Sequence, residues 1–224
     1  MYSGIASCRL SPLKFWRRAN LFTYLYLYLL SISINYFITI TMDIWIVGSS
    51  IVHWLERHLT ATRSARFTRT LGLDCQVHWM GRRGMRWEQL VPLLRRTSGP
   101  APAVMVIHLG GNNLGSQSGC SLLRSIRRDL DCIHWMFPDT MVLFSDIIQR
   151  RVYRSQARGR SAYGIERSRR FVNAGVAGFM RRVGVANSNI RHDQDVFRRD
   201  GVHLNRRGNE LFLENVLVGL RTVL

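Results

Sequence analysis

Five residues scattered along the chain have the types needed for acyl transfer. Ser50 lies in Gly48-Ser49-Ser50, at the point where a short apolar run gives way to helical spacing, so its hydroxyl stands at a turn opening into a helix. A helix N-terminus there favours developing negative charge. The same position also suits a plain helix cap, because serine is a favoured N-cap. Asp200 and His203, in RRDGVHLN, are spaced so that the carboxylate folds back through Gly201 onto imidazole Nδ1, leaving Nε2 to take a proton from a serine. Read singly, the pair is equally an exposed loop aspartate with a histidine packed nearby. Acyl transfer also needs donors aimed at an oxyanion. The backbone N–H of Gly84, the side-chain amide of Asn112 and the N–H of Ser50 itself could supply three. Gly110-Gly111-Asn112-Asn113 is alternatively a phosphate-binding turn, but it lacks the spacing of a dinucleotide fingerprint and the GK[ST] of a P-loop.

The elements that would position these residues alternate between strand and helix. The pattern predicts strand Asp43–Gly48, helix Ser50–Leu59, strand Cys75–Trp79, a turn at Gly81–Gly84 with a helix to about Arg96, and strand Val104–Leu109. A loop at Gly110–Gly119 follows, then a helix from about Cys120 to Met136 and strand Met141–Phe144. The remainder reads as a helix from about Ile165 to Arg182, an irregular stretch to Arg199 and an amphipathic helix Arg206–Leu224. Such alternation implies a parallel sheet covered on both faces, with chemistry at the carboxyl ends of the strands. Gly48–Ser50, Gly81–Gly84 and Gly110–Asn113 then meet on one edge.

With those residues placed, IVGSSIV, GRRGMRWEQL, IHLGGNNL and DGVHLN together resemble the four motif blocks of the SGNH hydrolases, also called GDSL-type esterases and lipases. The resemblance covers residues 43–222, in the family's order and spacing. It implies a flavodoxin-like three-layer α/β/α sandwich and ester hydrolysis through an acyl-enzyme. A small-molecule, carbohydrate or lipid ester with a short acetyl-type chain is the expected substrate, and no cofactor is expected. Carried over, the nucleophile falls on Ser50, the oxyanion donors on Ser50, Gly84 and Asn112, and the acid and base on Asp200 and His203. Two positions depart from the family pattern. Ser49 stands where an aspartate usually precedes the nucleophile, and Asn113 where one usually follows the oxyanion asparagine, so the bracing of the site is altered while its five chemical positions are intact.

Composition adds a second theme. The 224 residues are 46% apolar and 21% charged, ordinary for one globular domain, but the net charge is +18 and Lys14 is the only lysine. Between Arg150 and Arg207 stand fifteen arginines against Glu166, Asp193, Asp195 and Asp200. The stretch Gln149–Gly164 is expected to overhang the crevice as a mobile flap, with Arg150, Arg151, Arg154 and Arg158 as candidate polyanion contacts. It reads equally as a charged surface loop. SGNH-like domains also resemble esterase modules of some retroelements, and a nucleic-acid-associated accessory role is the alternative function that this charge suggests.

Residues 21–40 form an uncharged, mostly apolar run preceded by Lys14, Arg17 and Arg18, the pattern of a signal anchor and hence of membrane contact. Alternatively translation begins at Met42, leaving residues 1–41 as an extension of a cytoplasmic or nuclear protein whose domain is 42–224. The four cysteines lack CxxC spacing and read as reduced thiols, three of them within apolar stretches. The histidines other than His203 show no ligand spacing, so no metal site is expected, and His108 reads as a hydrogen-bonded core residue. Oligomeric state has no signature in the sequence.

Overall fold

The computed structural model describes residues 42–62, 75–153, 161–181 and 184–224. The apolar run 21–40, Arg154 and Arg158 lie outside these residues. Among the described residues no helix is long and apolar enough to cross a membrane.

Five parallel strands form one sheet in the order β2-β1-β3-β4-β5: β1 (Met42–Gly48), β2 (Cys75–Gly81), β3 (Val104–His108), β4 (Met141–Ser145) and β5 (Gly184–Val185). Every neighbouring pair is parallel. This is the strand order of flavodoxin-like folds. The helices are α1 (Ser50–Ala61), α2 (Leu90–Arg96), α3 (Gly119–Met136), α4 (Ala162–Phe179) and α5 (Arg206–Arg221).

Strand alternation divides the core into two layers. On one face Ile44 and Ile46 of β1, with Val104 and Val106 of β3, pack against Val52 and Leu55 of α1 and Phe212 and Val216 of α5. On the other, Trp45, Val47, Met105 and Ile107 meet Leu90 of α2, Leu122 and Ile126 of α3 and Val172 of α4. Both faces are apolar because helices cover both, as the continuous runs IWIV and VMVI require. Phe212 is fully buried, and truncating it to alanine would cost about 3–5 kcal/mol.

The observed boundaries depart from the sequence reading in instructive places. The helix expected after Gly84 begins as a 3-10 turn, Trp87–Gln89, and becomes α-helical only at Leu90, which leaves Pro92 in the first turn, where its missing N–H costs least. β5 falls inside the stretch expected to be irregular. Its two residues pair with Phe144 and Ser145, and Gly184 is required because a Cβ there would press on the Phe144 carbonyl. α4 ends at Phe179 instead of reaching Arg182. Of the three described cysteines, all free thiols, Cys75 is buried but Cys120 is exposed on the first turn of α3. It does not pack as a small hydrophobe.

Candidate active site

β1, β2 and β3 end level with one another. Gly48 pairs with Gly81 on one side and with His108 on the other, so the three following loops leave the sheet at one height. Neither glycine can carry a Cβ: at Gly48 it would collide with the His108 carbonyl, and at Gly81 with the backbone of His53. α1 therefore starts close against both neighbouring strands.

Ser49 is the N-cap of α1, yet its side chain makes no capping hydrogen bond. Ser50 is the first helical residue, and among the described residues neither its hydroxyl nor its N–H is used by a neighbour. The cap explanation for this Gly-Ser-Ser is thereby removed, since the helix is capped by neither hydroxyl. Ser50 is 5% exposed. Trp54 follows one turn later, and residues four apart share a helix face with Cβ atoms about 5–6 Å apart.

His203 meets that face: its ring lies 6.4 Å from the Trp54 ring, edge to face. The segment that carries it is a tight turn. The His203 carbonyl accepts from the N–H of Arg198 at 2.7 Å, and the N–H of Gly201 donates to the Arg198 carbonyl at 2.9 Å. Gly201 has φ +63, and a side chain there would strike Val152. Asp200 Oδ1 accepts from the N–H groups of Val202 and His203, and Oδ2 accepts from His203 Nδ1 at 2.6 Å. Partial burial pushes this carboxyl up, but the bonds from the His203 backbone, the imidazole and the Val202 N–H outweigh it and bring it down from 3.8 to about 2. An ionised Asp200 fixes the tautomer: Nδ1 holds the proton and Nε2 is the basic nitrogen.

Gly84 has φ +73, with open space where a side chain would project, and its N–H has no partner among the described residues. Asn112 is held from two sides. Its Nδ2 donates to the Met85 carbonyl at 2.9 Å and its Oδ1 accepts from Arg150 Nη2 at 3.0 Å. One amide proton goes to Met85, leaving the other to point elsewhere. Ser49, His108, Gly111, Arg150 and Val202 line one small cavity, so the loops after β1, β3 and β4 and the Asp200–His203 turn converge there.

Asn113 is 1% exposed. Its Oδ1 accepts from the Trp87 N–H at 2.9 Å, while its Nδ2 donates to Glu88 Oε2 at 2.7 Å. The second bond needs an amide, because an aspartate would face Glu88 as a like charge. The departure from the family's aspartate is thus matched by Glu88, and the bracing is rewired rather than lost. No such partner is found for the Ser49 side chain among the described residues.

The described start of the basic stretch, 149–153, is hydrogen-bonded to its surroundings, while residues 154–160 of the expected flap lie outside the described residues. Asn173 holds both the N–H and the carbonyl of Ile147, and Arg169 donates to the same carbonyl. The Tyr153 hydroxyl donates to Glu166, and burial pushes this phenol up to about 12. Arg151 donates to the carbonyls of His192 and Gln194, and the N–H groups of Arg151 and Val152 both donate to Gly201. Arg150 and Arg151, read from sequence as polyanion contacts, are therefore turned onto Asn112 and onto the loop before Asp200. The sequence carries no mark of that role for Arg150, and its one cue for Trp54 is the i, i+4 spacing from Ser50.

His108 is a core residue. Its Nδ1 pairs with Ser145 Oγ at 3.0 Å, its ring lies 4.8 Å from that of Phe212, and burial, reinforced by the Arg150 charge, lowers it from 6.5 to about 3. Among the described residues no three His, Cys, Asp or Glu side chains are grouped to hold a metal ion.

No protein-family model matches the sequence, and no curated protein does. Solved structures do match. A member of the lipolytic G-D-S-L family from Veillonella parvula superposes with a TM-score of 0.58 at 16% identity, over 82% of this chain and 100% of that one. A GDSL-like lipase from Bacteroides thetaiotaomicron gives 0.61 at 16% identity, over 81% and 89%. An acetyl xylan esterase gives 0.60 at 14% identity, over 82% and 100%. The fold is that of the SGNH, or GDSL-like, hydrolases.

Proposed function

We propose that this chain is a metal-independent serine ester hydrolase acting through Ser50, His203 and Asp200. The observation that carries the reading is the Asp200–His203 turn, docked on the Trp54 face of α1 one helical turn from a serine whose hydroxyl caps nothing. His203 Nε2 takes the Ser50 proton as Oγ bonds to the acyl carbon, and the carbonyl electron pair moves onto oxygen. That oxyanion is held by the N–H groups of Ser50 and Gly84 and the free amide proton of Asn112. The ester C–O bond then breaks, and the departing alkoxide takes the proton from His203. In the second half water gives its proton to His203 and its oxygen to the acyl carbon, and the Oγ–C bond breaks as Oγ takes that proton from His203, which returns Ser50 and releases the acid. The likeness to an acetyl xylan esterase supports a short acyl chain.

The test combines fluorophosphonate labelling with turnover of 4-nitrophenyl acetate. Wild type is expected to label and to turn over, and Ser50→Ala to lose labelling and at least about 10⁴-fold in kcat. Equal behaviour of the two proteins overturns the assignment.

A further inference from the structure

Trp54, which His203 meets edge to face, gathers two arginines, and these three side chains offer only donors. The Arg198 guanidinium carbon lies 4.2 Å from the Trp54 ring centre, and that of Arg83 lies 5.8 Å from the same centre. The Trp54 ring is also the one that His203 meets. Arg198 comes from the turn that carries Asp200, and Arg83 immediately precedes Gly84, so two separate loops bring one cation each to the same aromatic. Cation–π contact with tryptophan accounts for their closeness, but it leaves the guanidinium edges unused. Arg198 spends Nε on the Leu204 carbonyl. Among the described residues neither arginine forms an ion pair, although exposed arginines elsewhere on the domain do, as in Arg191–Asp193 and Arg206–Glu210. Trp54 Nε1 is enclosed and has no acceptor among them either. Asp200, the carboxylate on the same turn, is committed to His203 and two backbone N–H groups.

The side of the site matters. In the mechanism above His203 hands its proton to the departing oxygen, so the alcohol portion of the ester leaves past His203 and the Trp54 ring, while the oxyanion donors of Gly84 and Asn112 face the acyl carbonyl. Planar guanidinium forks match the oxygen pairs of phosphate and carboxylate, and two cations from separate loops can share one anion. We infer that Arg83 and Arg198 form an anion clamp over Trp54, and that the preferred substrate is an ester whose alcohol portion carries a negative charge a few bonds beyond the ester oxygen. This rests on the esterase reading for its chemistry but not for its binding.

The turnover test compares the acetyl ester of glycerol with the acetyl ester of glycerol 3-phosphate. Wild type is expected to favour the phosphate-bearing ester by at least about tenfold in kcat/KM, the size of one charge-assisted contact. Raising the salt concentration should erode that ratio, since exposed charges are screened. Arg83→Gln, an exposed change that removes no hydrogen bond, should lower the ratio about threefold, and adding Arg198→Gln should bring it to about one. Because each protein is judged by its own ratio, a general loss of activity does not count for the clamp. An unchanged ratio in the double variant, or no preference in wild type, overturns it.

The binding arm needs no turnover. Calorimetry on Ser50→Ala should detect glycerol 3-phosphate but not glycerol, with affinity falling as salt rises and falling again in Ser50→Ala/Arg83→Gln. If no ester is hydrolysed yet this pattern appears, the esterase reading fails and the clamp stands. If acetate esters are hydrolysed and glycerol 3-phosphate does not bind, the clamp fails and the esterase reading stands.

Discussion

Around the Asp200–His203 turn and along the exit from β4, polar groups are paired: both oxygens of Asp200, both ends of the Asn173 amide, the Arg151 guanidinium and the Tyr153 hydroxyl all have named partners. On the loops after β1 and β2 the Ser50 hydroxyl, the Ser50 and Gly84 N–H groups and the Arg83 guanidinium have no hydrogen-bond partner among the described residues. The first region is a frame and the second a working edge. Unused donors cost stability where they are buried, and under the proposed reaction those of Ser50 and Gly84 are kept for the oxyanion. The same substitution type should therefore act differently on the two sides. Asp200, His203 and Arg198 apart, since the proposed reaction uses them, changes in the frame should appear in unfolding, and changes at the edge in turnover.

The largest expected effect lies in the frame, at His108. Its proton affinity is lowered in the folded state to about 3 from 6.5, so below pH 6.5 the unfolded chain binds a proton that the folded one refuses. Stability is then fully present above 6.5 and is lost progressively as pH falls towards 3, by on the order of 4 kcal/mol. Denaturant melts of wild type and His108→Gln between pH 7 and 4 measure it. The variant should start lower but show a flatter pH dependence, and parallel curves would remove His108 as the cause.

At the edge, Asn112→Ala should lower kcat for 4-nitrophenyl acetate by about 10²–10³-fold, the loss typical of one oxyanion donor, with KM little changed. A loss confined to KM would make Asn112 a substrate contact instead. The smallest effect separates the regions most sharply. Asn113→Asp restores the residue usual in the family, yet here it sets a carboxylate against Glu88 and should destabilise the fold by roughly 1–3 kcal/mol. Glu88→Gln added to it should recover most of the loss. If Asn113→Asp alone melts higher than wild type, the rewired bracing is not an adaptation.

Much of this was legible in the chain. Gly-Ser-Ser after an apolar run, and Asp200 and His203 around a glycine, mark turns at strand ends because their local chemistry requires turns there. The alternation of strands and helices then put those turns on one edge. The illegible parts depend on partners distant in sequence. β5 is only Gly184–Val185, too short to show a period, and exists because β4 offers an edge to pair with. The arginine run announced its charge but not its direction, since nothing local says that Arg150 will be drawn onto Asn112 by the anchoring of Ile147 to Asn173. Trp54 has the spacing of a core residue, and only the return of the His203 turn gives it another use. Asn113 reads in sequence only as altered bracing, because its partner Glu88 sits on a separate 3-10 turn.

The level ending of β1, β2 and β3 works as a ruler. Each strand residue spans about 3.3 Å, so a slip of one residue in either pairing of β1 would move Ser50 out of register with Gly84 or Asn112 by more than the length of a hydrogen bond. The height at which each loop leaves the sheet is thus set by backbone pairing and by the glycines at 48 and 81, which hold the gauge closed, while side chains such as Arg150 and Asn113 brace the loops beyond it. A molecule measured this way can exchange most of its side chains without losing its calibration, which is how identities of 14–16% coexist with a shared fold.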